Sequence, residues 1–176
     1  VFCGVTARNV CELLNIIHSG NFKYVGIDLF GDKANEDEKV PNYLKKQSFS
    51  NPIKNLFYNI ILRENLNSYE SVLKFLKKYS KNITLIKGNS NKILQHLDME
   101  NIDFAFLDGG HSFETVFNDL NLLFDKISLN KDAIILCDDY EDADYITGVK
   151  RAVDQFVKEK KLKFEIIEKR FAKITI

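Results

Sequence analysis

Ile102-Asp103-Phe104-Ala105-Phe106-Leu107-Asp108-Gly109-Gly110-His111-Ser112-Phe113 runs from an apolar segment straight into an acid, two glycines and a histidine. A short aromatic and aliphatic run of this kind reads as a strand covered on both faces, which belongs to a parallel sheet sandwiched by helices. Its carboxyl end is then Asp108. In open α/β sheets ligands bind outside the carboxyl ends of the strands, so the Asp108-Gly109-Gly110-His111 turn lies where chemistry is expected. Ala133-Ile134-Ile135-Leu136-Cys137 repeats the pattern and ends in Asp138-Asp139-Tyr140. Three carboxylates therefore leave one sheet edge.

The elements around these strands alternate. Thr6 is placed to cap a first helix with apolar positions Val10, Leu13, Leu14 and Ile17, and Ser19-Gly20-Asn21 stops it. A strand from Phe22 to Asp28 follows and also ends in an acid. Residues 33–65 carry charges, two prolines and no clean period, and read as an insertion or lid. Leu66, Tyr69, Val72, Leu73 and Leu76 share one helical face, Ile83-Thr84-Leu85-Ile86 is a strand entering Gly88-Asn89-Ser90, and a short helix runs from Asn91 to Leu97. After the Ser112 N-cap, Phe113, Val116, Phe117, Leu120, Leu123, Phe124 and Ile127 recur at three and four residues, the clearest helix in the chain. Val149, Ala152, Val153, Phe156 and Val157 define another. Two alternating runs, Leu162–Ile167 and Phe171–Ile176, flank a Lys169-Arg170 break and form an antiparallel hairpin. The fold class is α/β: a Rossmann-like, doubly wound, mostly parallel sheet with helices on both faces and a C-terminal antiparallel hairpin, expected as a single domain.

Composition narrows the function. The 176 residues are 45% hydrophobic, enough for one core, and 25 basic residues balance 25 acidic ones. No net basic field draws nucleic acid or an anionic membrane. The cysteines Cys3, Cys11 and Cys137 are odd in number and lie in apolar surroundings, as reduced packing residues in a cytoplasmic protein do. No apolar stretch is long enough to span a bilayer, and the start of the chain has no signal-peptide pattern. The expected partner is a small molecule; self-association into a homo-oligomer stays open.

Together these strand ends resemble class I S-adenosylmethionine-dependent methyltransferases, over nearly the whole chain. Within the class, Asp108-Gly109-Gly110-His111-Ser112-Phe113 is similar to the Asp-Gly-Asp-His-Ser-Tyr of the metal-dependent small-molecule and sugar O-methyltransferase branch, Asp138-Asp139-Tyr140 to its Asp-Asp-Tyr, and Gly148–Phe156 to the segment that follows. Val1-Phe2-Cys3-Gly4-Val5-Thr6 is similar to the second half of that class's first cofactor loop, so the resemblance implies an apolar strand upstream of Val1 ending in an acid and a glycine. It further implies S-adenosylmethionine as methyl donor, a hydroxyl of a small molecule or sugar as acceptor, and Mg²⁺ as metal.

The residue roles follow from the same resemblance. Gly4 and Thr6 would receive the methionine end of the cofactor, a carboxylate being favoured at a helix N-terminus. Asp28 would accept the ribose hydroxyls, a solvated turn acid being the alternative. Asn89 stands where the family has an acid beside the adenine amino group; for Asn89 and Ser90, helix capping is the alternative. Asp108 and Gly109 would flank the cofactor, and Asp108, Asp138 and Asp139 would ligate the metal, against a reading as three capping acids. Asp108 and His111 are the candidate catalytic residues, with His111 a general base, an adenine neighbour or a structurally bonded imidazole. Gly110 replaces the family's second acid and Phe113 its tyrosine, which bears on the substrate more than on the fold. Two rivals remain at this stage, a non-catalytic cofactor-binding domain and a nicotinamide-dependent oxidoreductase.

Overall fold

A computed structural model describes residues 2–31, 53, 65–99, 101–127, 132–141 and 147–176. The chain groups into two compact units, Val1–Asn89 and Ser90–Ile176. The stretch 33–65, read above as an insertion or lid, falls outside the described residues apart from Ile53 and Asn65.

The first unit contains α1 (Val5–His18), β1 (Tyr24–Asp28), α2 (Tyr69–Phe75) and β2 (Ile83–Lys87). β1 and β2 pair in parallel from Tyr24↔Ile83 to Asp28↔Lys87. Ala7, Phe30, Val72, Leu76 and Leu85 form the core, with Tyr24, Tyr69 and Ile83 packed against it. Thr6 is not the helix cap expected of it. The cap position is Gly4, in a left-handed conformation at φ 74° with no side-chain cap, and Thr6 lies within the first turn. Only glycine fits easily there, since a Cβ would meet the side chains of Val72 and Phe75 at 3.1 Å. The buried face of α1 is centred on Ala7 and Cys11, with Val10 and Leu14 half-buried, so Leu13 and Ile17 turn outward. The helix expected to begin by Leu66 starts at Tyr69, because the Ser68 side chain accepts the Ser71 N–H and so fixes the N-cap.

The second unit contains α3 (Ser90–His96), β3 (Phe104–Leu107), α4 (Phe113–Ile127), β4 (Ile134–Cys137), α5 (Thr147–Lys160), β5 (Lys163–Ile167) and β6 (Phe171–Thr175). Its sheet has the order β3-β4-β6-β5, parallel at the first pairing and antiparallel at the other two. Leu120, Ile127, Ile135, Val153, Phe156 and Ile174 are fully buried. Phe124 of α4 meets Phe156 of α5 edge-on, with ring centroids 5.8 Å apart.

The α/β class and the closing hairpin are as expected, and the sheet layout differs in part: the described strands form two sheets, β1-β2 and β3-β4-β6-β5. Among the described residues, no helix is long and apolar enough to cross a membrane. All three cysteines are unpaired, and Cys11 and Cys137 are buried.

Phe156→Ala should cost the second unit about 3–5 kcal/mol in urea unfolding, because the ring fills the α4–α5 contact and the helices cannot fully close the void. A loss under about 1 kcal/mol would mean that the contact collapses without penalty.

Candidate functional site

The site starts from a register. β3 and β4 pair in parallel with Leu107 opposite Cys137, so the next residues, Asp108 and Asp138, leave the same edge side by side. The Asp138 N–H donates to the Leu107 carbonyl at 2.9 Å, holding the two strand ends together one residue beyond the sheet. Asp139 has φ 59°, in the left-handed region that a non-glycine residue adopts only when its surroundings hold it there. Its N–H donates to Asp138 Oδ1 at 2.7 Å. One carboxylate oxygen from each of Asp108, Asp138 and Asp139 lies within 4.8 Å of the others.

Three carboxylates this close repel, and at Asp108 burial adds to the effect. Although that residue is exposed, enough protein surrounds its carboxylate that desolvation raises its pKa; the charges of Asp138 and Asp139 raise it further, while His111 opposes them. His111 Nε2 lies 3.3 Å from Asp139 Oδ2. The principal compensating charge is Arg170. Its Nε donates to Asp138 Oδ1 and its Nη2 to Asp138 Oδ2 at 2.6 Å, a bidentate pair, and Nη2 is 3.7 Å from Asp139 Oδ1. Arg170 is held by a turn in which Glu168 and Lys169 have φ 54° and 53°, and its carbonyl accepts the Tyr140 N–H at 2.8 Å. The sequence reading took Lys169-Arg170 only as the break between two strands. The antiparallel pairing of β4 with β6 explains the position of Arg170, since Cys137 opposite Ala172 brings the start of β6 to the acids beyond β4.

A small pocket of about 20 Å³ is lined by Asp108, Gly109, Gly110, His111, Asp119, Asp138 and Asp139, among others. That is room for one water-sized occupant. Hard oxygen donors without a sulfur ligand suit Mg²⁺ better than zinc. Three carboxylates against one guanidinium also leave an excess of negative charge. By size, donor type and charge, the residues fit a divalent ion.

Two further residues position this site. Asp119, buried in α4, accepts from Ser90 Oγ at 2.8 Å and from Asn91 Nδ2 at 2.7 Å, tying the start of α3 to α4. The Ser90 hydroxyl, read as a cofactor contact, is thus the donor to a buried acid. Gly148 in the first turn of α5 packs on the His111–Phe113 backbone. A Cβ there would lie 2.2 Å from the His111 carbonyl oxygen and 2.7 Å from the Phe113 nitrogen. Ser112 caps α4 as expected, its Oγ accepting the Thr115 N–H at 3.2 Å.

The remaining candidates sit in the first unit. Asp28 Oδ1 accepts the Phe30 N–H at 2.6 Å, closing the turn after β1, and the Asp28 carbonyl accepts the Gly88 N–H at 2.9 Å. Burial, and then the charge of Asp28, push the pKa of the Cys3 thiol, beside Gly4, above its usual value. Asn89 follows Gly88 at the end of the unit.

Two substitutions test this geometry. Gly148→Ala should lower stability by about 1–3 kcal/mol through overpacking and should shift the NMR signals of the His111 ring; wild-type values for both would show that the turn has room. The pKa of Asp108 in the fold is raised above its ordinary 3.8. Its favourable contribution is therefore complete below the unfolded value and lost as pH rises through the folded one. Asp108→Asn should raise the melting temperature of the metal-free protein at neutral pH, and the difference should vanish by about pH 4. A lower melting temperature for the amide at pH 7 would contradict the repulsion.

Known proteins resemble the chain in sequence and in fold. A family model described as a methyltransferase domain matches residues 1–140. Among solved structures, the chain resembles the O-methyltransferase NovP at 15% identity and a TM-score of 0.72, covering 99% of this chain and 68% of that one. It also resembles cofactor-bound Rv0187 from MTB at 12% identity and a TM-score of 0.54, covering 97% and 79%. At these identities the likeness is one of fold. An uncharacterized protein of Acanthamoeba polyphaga mimivirus is 38% identical over 72 residues, an alignment spanning 38% of this chain and only 32% of that protein. With four-fifths of its length matched by the family model, the chain belongs to the methyltransferase-domain family.

Proposed function

We propose that this protein transfers a methyl group from S-adenosylmethionine to a hydroxyl of a small molecule or sugar, with Mg²⁺ held by Asp108, Asp138 and Asp139. The convergence of three carboxylate oxygens within 4.8 Å at the ends of β3 and β4 carries the reading. Family membership supports methyl transfer over nicotinamide chemistry, and the O-methyltransferase among the structural neighbours supports oxygen as the accepting atom. The even balance of 25 basic and 25 acidic residues favours a small acceptor over nucleic acid. The three unpaired cysteines suit a cytoplasmic protein.

The chain's own residues have distinct tasks in this scheme. Gly4, by its left-handed backbone, lets the chain turn tightly before α1 and leaves backbone N–H groups at the helix start for the cofactor carboxylate. Asp28 and Asn89 receive the ribose and the adenine. A divalent ion at the carboxylates would supply Lewis acidity, lowering the pKa of an acceptor hydroxyl. His111 takes the hydroxyl proton. Asp139 Oδ2, 3.3 Å from Nε2, orients the ring for that step. Ser90 and Gly109 shape the walls, Ser90 through Asp119.

The test separates metal chemistry from cofactor binding. Asp139→Asn should reduce Mg²⁺-dependent turnover by at least about 100-fold, as removal of a group acting at the reacting atoms does, with S-adenosylmethionine affinity little changed. Full turnover in the presence of a chelator would refute the metal assignment and leave His111 as the sole base.

A further inference from the structure

We infer that Arg170 is a tethered counter-cation of the carboxylate cluster, one that a divalent ion must dislodge from Asp138 to bind. The inference rests on the metal reading above and concerns a residue which that reading does not use. Asp138 Oδ1 receives two donors, Arg170 Nε and the Asp139 N–H, while Oδ2 receives Arg170 Nη2. A carboxylate has about four acceptor sites, so three of those on Asp138 are taken. An ion approaching the cluster meets an acid with one oxygen saturated and the other already bonded to the guanidinium.

The two partners differ in freedom. The Asp138 side chain is 5% exposed and the Arg170 side chain 55% exposed, so the carboxylate is fixed by its surroundings while the guanidinium borders solvent into which it can swing. The backbone beneath Arg170 does not need to move. Its carbonyl is held by the Tyr140 N–H, and the Arg170 N–H donates to the Ile167 carbonyl at 3.1 Å. Exchange is therefore a side-chain event: the guanidinium leaves and the ion enters. With no ion bound, Arg170 supplies the positive charge that lets Asp108, Asp138 and Asp139 stay together.

Manganese binding to the whole chain tests this, read from the loss of the free Mn²⁺ electron paramagnetic resonance signal. Arg170→Gln should bind Mn²⁺ at least about tenfold more tightly than wild type, because the ion no longer competes with a bidentate cation. Arg170→Lys, which keeps the charge but loses the fork, should fall between the two. The metal-free Arg170→Gln protein should melt lower than wild type, and saturating Mn²⁺ should remove the difference. Equal or weaker Mn²⁺ binding by both variants, alongside measurable binding by wild type, would overturn the role of Arg170 and leave the metal site standing. No binding by wild type or by either variant would overturn both.

Discussion

Like-charge repulsion among three carboxylates is the constraint around which the second unit is arranged. The pairing of Leu107 with Cys137 forces Asp108 and Asp138 out of neighbouring strands at the same height, and the left-handed turn at Asp139 adds a third acid. Such a cluster persists only if positive charge, protons or a bound cation answer it. In this chain the β5–β6 hairpin delivers a guanidinium to the most buried of the three acids. The hairpin thus serves two purposes: β6 extends the sheet beside β4, and the turn before it neutralises the site.

The support behind the acids is steric as much as electrostatic. Gly148 brings α5 against the backbone of the turn that carries His111, at a separation no side chain would tolerate. Asp119, a carboxylate buried in an otherwise apolar helix face, is satisfied by Ser90 and Asn91 and so locks α3 to α4. Loops at strand ends are the mobile part of an α/β fold, and here two of them are fixed by contacts from the helices that follow. A site that must hold a metal or a base within narrow limits needs such a supporting shell.

The first unit follows another logic. β1 and β2 form a parallel pair, and the polar elements at their carboxyl ends are a turn closed by Asp28 on its own downstream N–H and the glycine that follows β2. Gly4 turns the chain into α1 without a side-chain cap.

The sequence by itself determined the alternation of strands and helices, the strand-end positions of Asp28, Asp108, Asp138 and Asp139, the Ser112 cap and the closing hairpin. These are local properties: apolar runs that stop at acids, a period of three and four residues, and a capping side chain three residues from the N–H that donates to it. Thr6 was misread because the local signal for a cap ignores the left-handed glycine two residues earlier, where a Cβ would crowd Val72 and Phe75 across the unit. Leu13 and Ile17 were misplaced for a related reason, since packing on the core, not the count of apolar residues, decides which stripe of α1 is covered. Only the tertiary structure revealed Arg170, Asp119 and Gly148. Arg170 lies 32 residues from Asp138, and Gly148 is apposed to a turn more than thirty residues before it. Their meaning lies in pairings across strands and between helices, and sequence periodicity carries no record of which distant residue will stand opposite which.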